Sequence, residues 1–483
     1  MSNLEELEKL EELEKLEKLE KLEKLEKLEK LEKLEKLEEL EKLEELEKLG
    51  ELEKLEELEE LVKLEELVKL EELVKLEELE KLERLENKLE SMRTAIIGGG
   101  AAGFFCAINL KEMVAPMEVT IFERASQVLR KVEISGGGRC NCTNSFAEVS
   151  DLSQVYPRGH RLLKRLFKSF GPKDAYEWFE QRGVKLVTQE DQCVFPQSQD
   201  SHTIINLFMS EARRLGIQVR TSQKINTLEE LADYDYIVVT TGGQPNTSGL
   251  SWLNHPIEQP VPSLFTFQIN DKPLQSLMGT VIEDATVFIP GTKLRASGPL
   301  LITHWGMSGP AILRLSSYSA RVLADHNYQL PLHINWVSSK ENEVLEELHS
   351  LIIQHPMKQI TSIRPFALPT RLWNYLAEKC LGQRATYRWK DLNPKEMNRL
   401  ANLLTNDSYQ IAGRAPFKDE FVTCGGVSLA AVDANTLESK HLNRLFFAGE
   451  VLDIDGVTGG FNFQAAWTTA YTVARAIANH STE

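Results

Sequence analysis

Two patterns of apolar residues divide the chain. From Leu4 to Glu90 leucine returns at almost every third position among Glu and Lys, with Gly50, Val62, Val68, Val74, Arg84 and Asn87 among the few interruptions. Leu, Glu and Lys favour helix, and pairs such as Glu5 and Lys9 are spaced for i,i+4 attraction, so residues 1–91 are expected to be helical. A period of three does not match the helical turn. Each leucine advances about 300°, so the leucines wind around the whole cylinder and no sustained coiled-coil seam forms. Three readings of this repeat stay open: a solvated or self-associating helix, a spacer or interaction arm, and an expanded short DNA repeat or early start codon ahead of a domain that opens at Met92.

Beyond Met92 the pattern becomes short apolar runs broken by glycines and amphipathic stretches. Ala95-Ile96-Ile97 reads as a strand, Gly98-Gly99-Gly100 as a turn, and the residues from Ala101 as a helix. A second strand, 119–122, ends at Glu123, 20 residues past Gly103. Gly98-x-Gly100-x-x-Gly103 followed by that acid fits a dinucleotide fingerprint. The glycines permit a tight turn and close packing, the helix start at Ala101 and Ala102 turns N–H groups toward a pyrophosphate, and Glu123, beside Arg124, meets ribose hydroxyls. This unit alone suits NAD or FAD.

Further along, 160–182 and 204–215 read as helices, and 184–187 with 193–195 as a hairpin. The strand 236–239 runs into Thr240-Thr241-Gly242-Gly243, which returns the chain toward the nucleotide. Residues 261–337 are β-rich, and 338–408 carry helical spacing, with Pro369 and Pro394 at helix starts. Strand pattern resumes from 409. The strand 445–447 leads to Gly449-Glu450, then to Gly456–Asn462 and an Ala-rich helix. The fold expected is α/β: a discontinuous Rossmann-like FAD-binding domain (92–260 and 409–483), inserted β-rich (261–337) and small helical (338–408) domains, and an N-terminal low-complexity helix (1–91).

Charge changes little in this picture. Of a net charge of -17 over 483 residues, all belongs to residues 1–91, which hold 35 acidic and 18 basic residues; the remainder holds 38 of each sign. A neutral body offers no net electrostatic case for nucleic acid. No secretory signal and no run of about 18 apolar residues is present. With six sparse cysteines, a reduced, cytoplasmic protein acting on a small molecule is expected, with no membrane partner. Cys140-x-Cys142 reads as a redox pair or half a metal site, but no His or Cys cluster follows at zinc spacing, so no metal is expected. His304, at a strand end before glycine-rich sequence, is a candidate acid/base, the alternative being a hydrogen-bonded structural histidine.

The stretch from Lys131 through Ser135-Gly136-Gly137-Gly138-Arg139-Cys140-Asn141 to Thr143-Asn144 forms a second loop of backbone donors, suited to phosphates or an electron-rich ring, or else a flexible turn. It resembles the signature of a bacterial flavoprotein family, the BaiN/YhiN-like group that includes aminoacetone oxidase-like enzymes. The resemblance continues at Val194–Ser198, Thr240–Gly243, Thr303–Pro310, Thr423–Val427 and Gly449–Gln464, covering the chain from Met92. Residues 1–91 fall outside it, and Gly249–Leu253 is shorter and less Gly-rich than the loop of many members. The resemblance implies FAD. Lys131, Ser135, Gly136, Gly137, Arg139 and Asn141 would lie along the cofactor. Thr241, Gly242 and Gly243 would meet its adenosine side, and Gly449, Glu450, Asp453, Gly459, Gly460 and Asn462 its ribityl and ring side. It also implies oxidoreductase activity, taking electrons from NAD(P)H or a small organic donor to an organic acceptor or oxygen. An aminoacetone-like amine oxidase and a non-catalytic flavin sensor remain as alternatives.

Overall fold

A computed structural model describes residues 92–244, 246–415 and 422–482, with 62–64, 67–70, 74–75 and 89. These few residues of the repeat are helical; the rest of the expected repeat helix, and self-association through residues 1–91, lie outside the described residues. Two compact units divide the chain. In the smaller, Glu118 N donates to Met92 O (3.0 Å) and Lys111 Nζ to Met117 O (3.0 Å). The larger, Arg93–Leu110 with Val119–Ala476, carries the site.

Its centre is a parallel sheet of β1 (Arg93–Ile97), β2 (Glu118–Phe122), β6 (Gln218–Arg220), β7 (Tyr236–Val239) and β17 (Leu445–Phe447), in the order β17-β7-β1-β2-β6. β1 from Ala95 on, and β7, read as apolar runs because both faces are covered. Residues 102–110 of α1 (Ala101–Met113) are all buried, so this helix is a core element rather than an amphipathic surface one. Its Phe105 meets Trp178 (ring centroids 4.5 Å apart) of α4 (Pro172–Gln181) and Trp467 (5.1 Å) of α11 (Phe461–Thr482). A small antiparallel sheet, β3 (Thr143–Asn144), β5 (Cys193–Pro196) and β4 (Leu186–Thr188), contains the hairpin expected over 184–195.

The chain leaves this unit along β8 (Ile257–Ser263) and returns along β16 (Val422–Val427), and these two strands pair antiparallel, with Val422 opposite Ser263. Between them stands a seven-stranded sheet, β14-β13-β10-β11-β12-β9-β15. Its strands are β9 (Phe267–Gln268), β10 (Val281–Phe288), β11 (Arg295–Ile302), β12 (Gly306–Ser308), β13 (Pro331–Asn335), β14 (Asp407–Gln410) and β15 (Gly413–Arg414). The segments expected as separate β-rich and helical inserts share one hydrophobic core. It joins Val287, Ile334 and Trp336 to Val344 of α8 (Glu341–Gln354), Trp373 of α9 (Thr370–Leu381) and Leu400 of α10 (Pro394–Asn406). Trp336 Nε1 donates to Asp407 Oδ2 (3.0 Å), and Lys379 pairs with Asp407 (2.7 Å). The helices fold back because each has one apolar face and the sheet supplies an apolar surface. The sheet runs on to Arg414, past the boundary expected at 409.

Candidate flavin site

In a parallel sheet the loops after each strand gather at one edge, and ligands bind there. Here that edge collects the turns after β1, β2, β7 and β17. Gly98 N donates to Phe122 O (2.8 Å). A Cβ on Gly103 would stand 2.0 Å from Gly98 O, so only glycine lets α1 start this close to the strand. A Cβ on Gly100 would meet nothing within 4 Å, which leaves room at the helix start beside Ala101 and Ala102. Glu123 is fixed at the end of β2: its Oε2 accepts from Gly99 N and its Oε1 from Ala125 N, both at 2.8 Å. Arg124 beside it is exposed. Thr240 Oγ1 donates to Gly98 O (2.9 Å), tying β7 to the glycine turn. The next hydroxyl, Thr241 Oγ1, is buried and has no partner among the described residues.

The second loop begins on α2 (Arg130–Gly138), whose helical path breaks at Ser135 and turns left-handed at Gly136 and Gly137. Lys131 Nζ pairs with Glu450 Oε2 (2.6 Å). Glu450 Oε1 accepts from Thr423 N (2.9 Å), and Gly243 N also donates to this carboxylate. Burial works against ionisation of Glu450. The Lys131 ammonium and the two backbone N–H groups outweigh it and hold the carboxyl below its ordinary range. The carboxylate expected to face a ribityl chain therefore clasps α2, the β7 turn beside Gly242 and Gly243, and β16. Ser135 Oγ donates to Val132 O (2.8 Å). Arg139 lies over Phe195 (4.1 Å to the ring centroid) and donates to Gly136 O (3.0 Å).

The segment after α2 and the loop before α11 interlock. With its amide turned to match its neighbours, Asn141 donates to Thr143 O (2.9 Å) and accepts from Gly460 N (3.1 Å). Asn144 Nδ2 donates to Gly459 O (2.9 Å), and Trp467 Nε1 to Cys142 O (2.8 Å). Gly460 tolerates this only without a side chain, since a Cβ would stand 2.1 Å from Thr143 O. Gly449 N donates to Thr469 Oγ1 (2.9 Å). Asp453 pairs with Arg321 (2.8 Å), and Asn462 exchanges hydrogen bonds with Gly456 N and O (2.8 and 2.9 Å). Both side chains thus hold protein segments in place. Cys140 and Cys142 are buried with sulfurs 3.8 Å apart, and burial pushes the Cys142 thiol well up. Among the described residues no cluster of three or more His, Cys, Asp or Glu stands ready for a metal.

His304 is exposed on the turn between β11 and β12, its ring beside that of Trp305 (centroids 4.9 Å apart). Two positioning groups were missing from the sequence-level site. Thr423 belongs to a motif already singled out. The Arg158–Asp455 ion pair, which also receives Ser263 Oγ (3.1 Å), had no local signal.

The orphaned Thr241 hydroxyl, the open space over Gly100 and the free helix N-terminus of α1 fit a bound dinucleotide. The second glycine-lined loop, tied to Glu450 through Lys131, adds backbone donors beyond what one nucleotide needs. The class this defines is the flavin-dependent oxidoreductases built on a Rossmann sheet. The chain belongs to the HI0933-like Rossmann-domain family, which it matches over residues 92–476. It is 24% identical over 410 residues to a 3-dehydro-bile acid delta(4,6)-reductase of Clostridium scindens, covering 80% of this chain and 99% of that protein. It is 26% identical over 409 residues to a ribosomal RNA dihydrouridine synthase of Haemophilus influenzae, covering 79% and 97%. Among solved structures it aligns with a 3-ketosteroid delta1-dehydrogenase from Sterolibacterium denitrificans at a TM-score of 0.39 and 10% identity, covering 80% and 99%. Among the described residues no helix is long and apolar enough to cross a membrane.

Proposed function

We propose that the protein is an FAD-dependent reductase of a carbon–carbon double bond conjugated to a carbonyl, fed by NAD(P)H or a small organic donor. The observation that carries this reading is the dinucleotide cradle at the sheet edge, in a chain whose relatives' names share one chemistry. A 3-oxo compound with 4,6 double bonds and a uracil ring both present a double bond in conjugation with a carbonyl. When bound, FAD supplies two-electron transfer between donor and acceptor. The chain's residues bind and orient. Gly98, Gly100, Ala101, Ala102 and Gly103 would hold the pyrophosphate, and Glu123, with Arg124 near, the adenosine ribose. Thr241 Oγ1 would donate its unused hydrogen bond to the cofactor. Ser135, Gly136, Gly137, Arg139 and Asn141, facing Gly459 and Gly460, would line the ring side, and Lys131–Glu450 would keep the two halves in register. Saturating such a bond also needs a proton beside the carbonyl. His304 is the candidate donor, on an exposed turn that water reaches equally.

Anaerobic mixing tests the proposal. The FAD-loaded protein should lose its visible flavin absorbance with NADPH or NADH and regain it with an enone. Bleaching by a small amine alone, with recovery in oxygen, would establish the amine oxidase instead. A bound flavin that no donor bleaches would leave a sensor, and a protein unable to take up FAD would end the reading.

A further inference from the structure

Cys140 and Cys142 stand inside the candidate site, and no role given to that site uses their sulfurs. The two sulfurs lie 3.8 Å apart, the only hydrogen-bonding contact between cysteine sulfurs among the described residues. The Cys142 thiol donates toward Cys140 Sγ and toward Cys140 O (3.4 Å). The backbone is shaped for this contact. Cys140 sits at φ 60, in the left-handed region that glycine and asparagine favour and cysteine rarely enters. Cys140 N donates to Ser135 O (3.0 Å) and Cys142 N to Val194 O (2.9 Å), so both ends of the turn are pinned. A disulfide holds its sulfurs at about 2.05 Å, so side-chain rotation has to close a gap of about 1.8 Å from the present 3.8 Å. A zinc site needs further ligands, and among the described residues no third Cys, His, Asp or Glu joins the pair.

The surroundings give this pair to the cofactor side rather than to solvent. Both residues are fully buried. Burial pushes the Cys142 thiol well up and keeps its proton on, and the same burial shuts out dissolved oxidants. Asn141, between the two cysteines, accepts from Gly460 N (3.1 Å), and a Cβ on Gly136 would stand 3.0 Å from Asn141 N. A Cβ on Gly137 would meet nothing within 4 Å, so the loop that carries the pair borders open space. These glycines and Asn141 are the ring side of the proposed FAD site. We propose that Cys140 and Cys142 are a redox-active dithiol that exchanges two electrons with a bound flavin. The inference rests on the flavin reading for its electron acceptor. In the oxidising direction both S–H bonds break and one S–S bond forms, and two electrons and two protons pass from the sulfurs to the isoalloxazine ring. The reverse step opens the S–S bond and restores both thiols.

The test counts electrons and thiols in the FAD-loaded full chain. Oxidised in air and then made anaerobic, the wild type should take up about twice the dithionite needed to bleach its flavin, one electron pair for the ring and one for the disulfide. Cys142→Ser should take up the first pair alone. The oxidised wild type is also denatured, alkylated, cut with trypsin and weighed. The peptide that begins at Cys140 should be unalkylated and lighter by two hydrogens, and after reduction it should carry two alkyl groups. Equal dithionite uptake by both proteins, full alkylation of the oxidised peptide, or a bond from either sulfur to Cys193 or to another molecule would overturn the inference. If Cys142→Ser loses its flavin, the alkylation of the wild type decides alone. A protein that holds FAD, and whose flavin NADPH or NADH bleaches, but that keeps both thiols ends the dithiol and leaves the flavin reading. A protein that takes up no FAD ends the flavin reading, and with it the acceptor named here.

Discussion

Replacing Lys131 by Met asks whether the clasp between α2, β7 and β16 is held by charge. Lys131 is 53% exposed and Glu450 19% exposed. Lys131→Met therefore removes the ammonium and leaves a largely buried carboxylate with only the N–H groups of Thr423 and Gly243. Deleting one partner of a buried pair costs about 3–5 kcal/mol, whereas an exposed pair is worth about 0–1 kcal/mol. With one partner half in water, about 1–2 kcal/mol is expected. Glu450→Gln keeps an acceptor for the two N–H groups and frees a solvated lysine, for a loss of about 1 kcal/mol. The double variant should then lose less than the sum, by about 1 kcal/mol. The pH dependence has a definite sign. The folded carboxyl titrates below the ordinary value of 4.5, so its contribution is present above that pH and is lost as acid takes the pH through the folded value. Lys131→Met lets the folded value rise, so the gap to wild type is widest near neutrality and closes as both carboxylates protonate. Urea midpoints of the FAD-loaded protein, taken from neutral to acid pH, read this directly. A gap that does not change with pH, or a double variant that loses the full sum, would refute a charge-held clasp.

Other outcomes are equally open to measurement. Gly103→Ala places a Cβ 2.0 Å from Gly98 O, and overpacking of this kind costs about 1–3 kcal/mol. Flavin content and FAD affinity should fall about tenfold or more; unchanged retention would place the pyrophosphate elsewhere. Thr241→Val removes a buried hydroxyl that has no partner among the described residues. The apoprotein's melting temperature should hold or rise while FAD affinity falls by about 0.5–1.5 kcal/mol, and a fall in both would mean that the hydroxyl serves the fold. With His304 on an exposed turn, His304→Gln should leave turnover within about threefold; a loss of about 100-fold or more would put it at the reacting atoms. Removing residues 1–88 should leave flavin content and turnover unchanged, as absorbance and steady-state rates will show.

What was legible in the sequence was local. Strand, glycine turn, helix and acid from Ala95 to Glu123 lie in one unit whose geometry follows from residue type and spacing. The return of β7 and β17 to the same edge was legible for the same reason, as apolar runs ending in glycine. The clasp was not, because Lys131 and Glu450 stand 319 positions apart and only the fold aligns them. A motif also names a residue without aiming it: Asp453 and Asn462 turn to Arg321 and Gly456. The unity of the insert was hidden because the helices between 341 and 406 separate strand neighbours β13 and β14 in the chain.

Because Val422 pairs with Ser263, the outgoing and returning chains leave the β8–β16 ribbon at the same rung. A tight turn across that rung would close an ordinary hairpin, and the parallel sheet would still have all of its strands. In connectivity the insert is thus a single long loop, although its Arg321 and Ser317 also bond to Asp453 and Arg158 outside it. Loop-closure entropy grows slowly, by about 0.6 kcal/mol for each doubling of length. Segments of very different length can close this rung at little entropic cost, provided that they restore the partners that Arg321 and Ser317 give to Asp453 and Arg158. The length of this segment can then vary between lineages without disturbing the order of strands in the parallel sheet.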